Sequence, residues 1–124
     1  MKVSTWTEHA TTTDGAAATA THDGVADKTH FVSGLAYSVA SDGMGSVRYA
    51  DIELKDEDDN TLIKIRTMGS AEYQTAGPGG SEVINFSAPI QIPEGKDVVA
   101  EIDAGGATVV HVNIWGFTDS ARQS

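Results

Sequence analysis

The chain has 124 residues, a length that suits one domain, and its 18 acidic and 8 basic side chains give a formal net charge of -10 at pH 7. It has no cysteine, which excludes disulfides, thiolate metal ligands and a cysteine nucleophile and favours synthesis in a reducing cytoplasm. Nucleic acid is disfavoured as a partner because a polyanion repels an acidic surface, and no stretch reaches the ~18 apolar residues of a membrane span.

Residues 1–28 differ in composition from the rest of the chain. Positions 10–21 are almost entirely alanine and threonine, and such a run lacks the large apolar side chains that build a core. The segment also lacks the apolar run of a signal peptide. It predicts an extended N-terminal arm with a short strand around residues 16–21, and a disordered tail is the alternative. Trp6 favours an arm that docks, because burial is what a tryptophan gains from ordering.

From residue 29 onward, short alternating segments lie between Gly-, Asp- and Pro-rich turns, which is typical of strands. No segment shows a convincing helical period. The predicted strands are 29–40, 47–55, 61–68, 82–87, 97–103 and 108–117. Residues 88–93 predict an extended edge, because proline cannot donate to a central ladder.

Two pairs of these segments predict hairpins, each joined by a short turn. One pair is 47–55 with 61–68, and the other is 97–103 with 108–117 across a turn at 104–107. Residues 69–81 contain Gly77-Pro78-Gly79-Gly80 and predict a long loop.

The final strand carries the clearest pattern. Val110, Val112 and Ile114 share one face, and the other face carries Val109, His111, Asn113, Trp115 and Phe117. The chain as a whole therefore predicts an all-β, antiparallel β-sandwich of seven strands, or eight with a strand from the arm. A jelly-roll-like arrangement is favoured over an immunoglobulin one because the Cys-Trp-Cys signature is absent. The predicted division is an arm at 1–28, a sandwich at 29–118 and a polar tail at 119–124.

No motif for catalysis is found, so we expect a protein that is not an enzyme and has no catalytic, cofactor-binding or metal residues. The acidic run 56–60 opens like a calcium-binding loop, but Thr61 and Thr67 stand where that loop needs Gly and Glu. A solvated hairpin turn is the better interpretation. His30 and His111 lie in strands and could face one another, yet no His-x-His pair supports a metal site. The Gly-rich run lacks the Lys-Ser/Thr of a phosphate loop.

The remaining candidates are contact residues. Trp115 and Phe117 could close the core, fill a subunit interface or, with Tyr37, Tyr49 and Tyr73, form a platform for sugar rings. The predicted partner-binding residues combine these two with the arm and the Pro-bearing edge; they are Trp6, Pro89, Ile90, Ile92, Trp115 and Phe117.

Three segments carry a resemblance. Residues 28–35 (KTHFVSGL), 82–90 (EVINFSAPI) and 109–117 (VVHVNIWGF) are similar to small jelly-roll virion proteins of tailed bacteriophages. The resemblance covers roughly residues 28–118, and its motifs are structural, so no functional residue transfers. It implies a capsid decoration (cement) protein or a head or tail accessory subunit, often trimeric.

On that basis we expect a structural protein of the virion. It would be made in the host cytoplasm and bound to the outer capsid surface, with the major capsid protein and copies of itself as partners, in a homotrimer. Repeated weak contacts become strong through multivalency on such a lattice. The alternative is a carbohydrate-binding or receptor-binding module on a phage tail or head fibre, with a glycan as ligand. We expect no nucleic acid, membrane or cofactor.

Overall fold

The computed structural model describes residues 3–12, 16–41, 49–68, 77–104 and 109–120, and these form eight strands. The strands are β1 Val3–Thr12, β2 Ala18–His22, β3 Lys28–Ser41, β4 Tyr49–Asp56, β5 Thr61–Met68, β6 Gly77–Gln91, β7 Val98–Ala104 and β8 Val109–Ser120. None of the described residues is helical, and so the described part of the chain has no helix that could cross a membrane.

The strands form two antiparallel four-stranded sheets, with the orders β1-β8-β3-β6 and β2-β7-β4-β5. Consecutive strands repeatedly fall in opposite sheets, so that the chain crosses the core and returns beside an earlier strand. This is the order of an eight-stranded jelly roll. The predicted all-β, jelly-roll-like sandwich is confirmed.

The N-terminal segment contributes one strand to each sheet. Strand β1 pairs with β8 over ten residues, and β2 pairs with β7 over five, close to the short strand predicted around residues 16–21. The described part of the predicted arm is therefore extended and docked. The division of the chain into arm, sandwich and tail stays a prediction.

The core lies between the sheets and consists of every second residue of the central strands. Its members are aliphatic apart from Tyr37, and Leu35, Leu54, Ile92, Ile102 and Ile114 are fully buried. The burial of Val110, Val112 and Ile114 confirms the predicted aliphatic face of the last strand. The shared core is what holds the two sheets face to face.

A bulge at Ser33 changes the face on which β3 presents its side chains. Val32 pairs with Gly116 while Gly34 pairs with Trp115, so Ser33 is an extra residue against β8. Phe31 consequently points outward, whereas Leu35 and Tyr37 point inward and are buried. Tyr37 is therefore not part of the outward surface that the alternative of a sugar platform would need; its hydroxyl donates to Glu82 at 2.8 Å. Tyr73 and the side chain of Tyr49 lie outside the described residues.

Strand β6 is longer than the strand predicted at 82–87, because it also includes residues predicted to be loop before it and residues predicted to be an extended edge after it. Residues 77–81, predicted to be loop, are strand in the structure, and residues 69–76 lie outside the described part. Between two consecutive pairs of the β3–β6 ladder, β6 has the four residues 86–89 where β3 has only Ser33. This ladder is therefore also irregular at the bulge. Pro89 falls in this irregularity on an edge strand, consistent with its missing N–H donor.

The two predicted hairpins have different outcomes. Strands β4 and β5 pair as predicted, and the carboxylate of Asp56 holds their turn by accepting hydrogen bonds from Asp58 N at 2.8 Å and from Asn60 N at 3.1 Å. The second hairpin is wrong, because β7 pairs with β2 and β4 while β8 lies in the other sheet. Both strands have an aliphatic face, and these faces meet across the core rather than side by side.

Candidate functional site

The outward side of the sheet β1-β8-β3-β6 carries no Asp, Glu, Lys or Arg over four successive cross-strand rows. Directly paired residues share a face of a sheet, so the register defines each row. We call this surface the neutral face; its rows are Thr5-Phe117-Phe31-Gln91, Thr7-Trp115-Gly34-Asn85, His9-Asn113-Ala36-Val83 and Thr11-His111-Ser38-Ser81. On a chain with a net charge of -10, such a surface stands out.

Three aromatic side chains occupy the middle of two adjacent rows. Phe31 and Phe117 stack with ring centroids 4.9 Å apart and planes 12° apart. Trp115 lies in the next row and is half-buried, as are both phenylalanines. The sequence interpretation of Trp115 as a core residue is therefore wrong, while an interface or ligand contact remains open.

Gly34 is what allows the indole of Trp115 to lie flat on the sheet. A methyl group at Gly34 would come 2.5 Å from Trp115 Cζ2 and 2.6 Å from the Ile84 carbonyl oxygen. A Cβ atom essentially never comes that close to another heavy atom, so with any larger residue here both the indole and the β6 backbone would have to shift. The pair of Gly34 and Trp115 therefore keeps the neutral face low and even.

Polar but uncharged groups surround the aromatic centre. The side chains of β1 on this face are exposed, and Val83 on β6 is 65% exposed, the highest among the large hydrophobics described. Thr11 Oγ1 and His111 Nδ1 lie 2.8 Å apart and tie β1 to β8. The surface offers hydroxyls, amides and flat rings, and it can contact an uncharged partner without leaving a charge desolvated.

The outward side of the other sheet has the opposite character. It carries four carboxylates and three cations, which are Asp51, Glu53, Glu101, Asp103, Lys55, Lys64 and Arg66. Arg66 Nε donates to Asp51 at 2.8 Å, and this hydrogen bond holds the pKa of Asp51 below its ordinary value. Lys55 Nζ lies 3.6 Å from Glu101. We call this surface the charged face.

A third region concentrates the negative charge at one end of the sandwich, where three connections meet. Lys96 Nζ lies 3.2 Å from Asp58, Glu57 accepts from Asp97 N at 2.9 Å, and Asp97 accepts from Gly24 N at 2.6 Å. Eight of the 18 acidic residues lie in these connections or, for Asp56, at the end of β4 that leads into one; they are Asp23, Asp27, Asp56, Glu57, Asp58, Asp59, Glu94 and Asp97. None of these eight residues lies in the four rows of the neutral face.

The other predicted contact residues lie elsewhere. Ile92 is fully buried, so it contacts only the chain itself, and Trp6 and Ile90 are half-buried and pack against the core. Pro89 is exposed on the edge strand β6. Of the six residues, the neutral face brings together only Trp115 and Phe117.

The four histidines lie in two separate places. His9 and His111 lie on the neutral face, whereas His30 is buried on the inner side and meets His22, with ring centroids 4.5 Å apart. The described residues contain no group of three His, Cys, Asp or Glu side chains that could hold a metal ion.

Sequence reasoning missed the contribution of β1 and of Phe31. The alternation Thr5, Thr7, His9, Thr11 carried the signal for β1, but alanine and threonine also fit a flexible tail. Strict alternation along residues 29–40 would place Phe31 on the face of Leu35, because a bulge has no reliable sequence signature. Neither the neutral face nor its contrast with the charged face can be seen without the register.

No family model matches the chain, and no curated protein matches it. Among solved structures, the chain is similar to part of dimeric latent PorU from Porphyromonas gingivalis, with a TM-score of 0.50 and 8% identity, over 96% of this chain and 13% of that one. It is also similar to the VLP of the Macrobrachium rosenbergii extra small virus, with a TM-score of 0.44, 10% identity, and 98% and 82% of the two chains covered.

A third similar structure is arabinose-bound MgGH51 α-L-arabinofuranosidase. The TM-score is 0.40 at 12% identity, over 86% of this chain and 18% of that chain. The chain spans about one eighth of the PorU chain, so that similarity concerns one part of a larger protein. At these identities the likeness concerns the fold, and a sandwich of this kind serves many functions.

Proposed function

We propose that the protein is a non-enzymatic structural protein of a virion, a capsid decoration protein that binds the outer shell through its neutral face. The observation that carries this proposal is the uncharged four-row surface with an aromatic centre on a strongly acidic chain. A partner protein can cover it without burying unpaired charge, and the acidic connections remain in solvent. The resemblance of three segments to virion proteins of tailed bacteriophages supports the choice of a capsid as partner.

The size of the neutral face supports a lattice rather than one tight partner. Four strands ~4.8 Å apart and rows two residues apart give a surface of about 14 by 20 Å between its corner residues, or about 300 Å². A standard stable interface buries ~800 Å² on each partner. A single contact here is therefore weak, and many copies on a repeating shell would bind strongly together. Self-association, as a homotrimer, would multiply the contacts of each unit.

The test is co-sedimentation with purified particles from the source, using two matched threonine variants. Thr7→Glu puts a carboxylate on the neutral face, and Thr21→Glu puts one on the charged face; both threonines are exposed on edge strands. We expect Thr7→Glu to reduce particle binding at least about tenfold, since an interface that buries an unpaired carboxylate loses the hydration of that charge. Thr21→Glu should bind as the unchanged protein does. Equal binding by both variants would exclude the neutral face as the contact surface.

Quantitative mass spectrometry of the same particles fixes the role. Hundreds of copies per particle would indicate a decorating subunit, and a handful would indicate a vertex, neck or tail position. Absence from the particles would remove the virion proposal.

The second candidate is a carbohydrate-binding module, and the exposed side of Trp115 favours it. The indole has Thr7 beside it in its row and Asn113 next to it along β8, so a flat ring stands beside a hydroxyl and an amide. A pyranose could stack on such a ring while its hydroxyls bond to these groups. Trp115→Ala should then abolish binding on a glycan array while the far-UV spectrum is unchanged. A silent array with the unchanged protein would exclude this candidate.

A further inference from the structure

A buried aromatic cluster joins β1 to the rest of the sandwich. Trp6 of β1 stacks on His22 of β2, with centroids 4.2 Å apart and planes 11° apart, and its edge meets His30 of β3 at 5.9 Å. His22 Nδ1 lies 2.8 Å from Glu8 Oε2, also on β1. Three strands of two sheets thus meet at one point, which we call the latch.

His30 holds the centre of the latch as a neutral ring. The Asp23 carbonyl oxygen can only accept, so Nε2 carries the proton and donates over 2.8 Å. Nδ1 then accepts from the Thr118 hydroxyl at 2.6 Å. The ring is 2% exposed and both of its nitrogens are in use. A second proton on Nδ1 would require the Thr118 hydroxyl to turn and accept instead of donate.

The surroundings of His30 oppose a positive charge. Burial is the main cause that lowers its pKa below the ordinary 6.5, and His22 adds to the lowering. Asp97 and the Asp23 carbonyl act the other way, but the Asp97 carboxylate already accepts from Gly24 N at 2.6 Å. Glu8 lies beyond, paired with His22. With both rings protonated, two cations would stand 4.5 Å apart.

Two parts of the structure could move to admit water to His30, the Asp23 segment and strand β1, and they are not held equally firmly. The Asp23 side is fixed, because Gly24 lies against the Gly95 carbonyl and Gly95 N donates to Lys28 O at 2.9 Å. Strand β1 is an edge strand, and Trp6 Nε1 is buried with no acceptor among the described residues. A buried N–H without a partner weakens the closed state, and water would satisfy it on opening.

We propose that the latch is a pH-sensitive release for strand β1, closed when His30 is neutral and opened when His30 is protonated. A charge on His30 is unfavourable while Trp6 and His22 enclose its ring, so we expect acid conditions to lift the start of β1 from β8 and from the cluster. Because the folded-state pKa is lowered, the closed state has its full stability above the ordinary histidine value and loses it as the pH falls below 6.5 toward the folded-state value. Opening would leave the edge of β8 unpaired. It would also remove the outward-facing threonines of β1 from the neutral face. The proposal stands apart from the identity of any partner.

The test is hydrogen exchange of the backbone amides on the full chain at about pH 5 and about pH 7.5, corrected for intrinsic exchange rates. We expect the protection of β1 amides to fall at least about tenfold at the lower pH, while β4 and β7 keep theirs. His30→Gln should remove this pH dependence, and His9→Gln, a substitution on the same edge strand outside the latch, should retain it. Loss of protection in every strand together, or an unchanged effect in His30→Gln, would overturn the proposal.

A measurement on the unsubstituted protein covers the case in which His30→Gln does not fold. The imidazole of His30 is titrated by NMR beside the β1 amides. We expect the two midpoints to coincide below 6.5. A His30 midpoint at or above that value, or a β1 opening at a different pH, would refute the release mechanism.

Discussion

The two sheets of the sandwich are alike inside and opposite outside. Each has four antiparallel strands and an aliphatic inner side, and the two share one core. The four rows of the neutral face on β1-β8-β3-β6 are uncharged with an aromatic centre, whereas the outer side of β2-β7-β4-β5 carries carboxylates and cations. The inner pattern specifies the fold, so the outer pattern is free to differ, and our proposal of a partner-binding side rests on that difference.

The largest change in the free energy of unfolding should come from substitutions in the shared core, where the two sheets are alike. Ile114 of β8 and Ile102 of β7 are both fully buried, and truncating either to Ala should lower the free energy of unfolding by about 2–5 kcal/mol. Urea denaturation of the two variants measures this. Costs that differ by more than about 2 kcal/mol would show that the sheets do not share the core equally.

A smaller effect should distinguish the outer sides. Gly34→Ala forces a methyl group against the ring of Trp115, and we expect a loss of about 1–3 kcal/mol in unfolding free energy. Tryptophan emission should shift as the indole leaves the sheet. Ser38→Ala, on the same strand and face, is the control and should change stability by less than about 0.5 kcal/mol. Equal effects would mean that the indole does not depend on Gly34.

The smallest effect concerns the charged face. Arg66→Ala removes the cation beside Asp51, and an exposed pair of this kind contributes about 0.2–1 kcal/mol. The pKa of Asp51 is lowered in the folded state, so the contribution is present above the ordinary carboxyl value and is lost as the pH falls through the lowered one. Thermal unfolding at several pH values and salt concentrations checks this. A salt-independent loss would point to packing by the arginine stem instead.

The strands and the fold class could be predicted from the sequence because they depend on patterns within short segments. Alternation of aliphatic with polar residues in β8, and the acidic turn between β4 and β5, specify strands and one hairpin without any distant contact. Which strands pair is not a local property. In the sequence, β7 and β8 have the pattern of a hairpin, since a short turn separates them. Only the sheet order shows that they lie in different sheets, with their aliphatic faces opposed across the core. A similar limit applies to the site, since Phe31 reaches the neutral face only through a bulge.

The pairing of β1 with β8 has a mechanical consequence. Val3 and Asp119 stand directly opposite at one end of a ten-residue antiparallel ladder. Tension applied between these two residues opens the ladder from that end, so its hydrogen bonds break one after another rather than all at once. The strand would peel at low force while the core keeps its packing. Resistance to pulling and resistance to denaturant therefore come from different parts of this molecule, a single ladder in the first case and the buried aliphatic layer in the second.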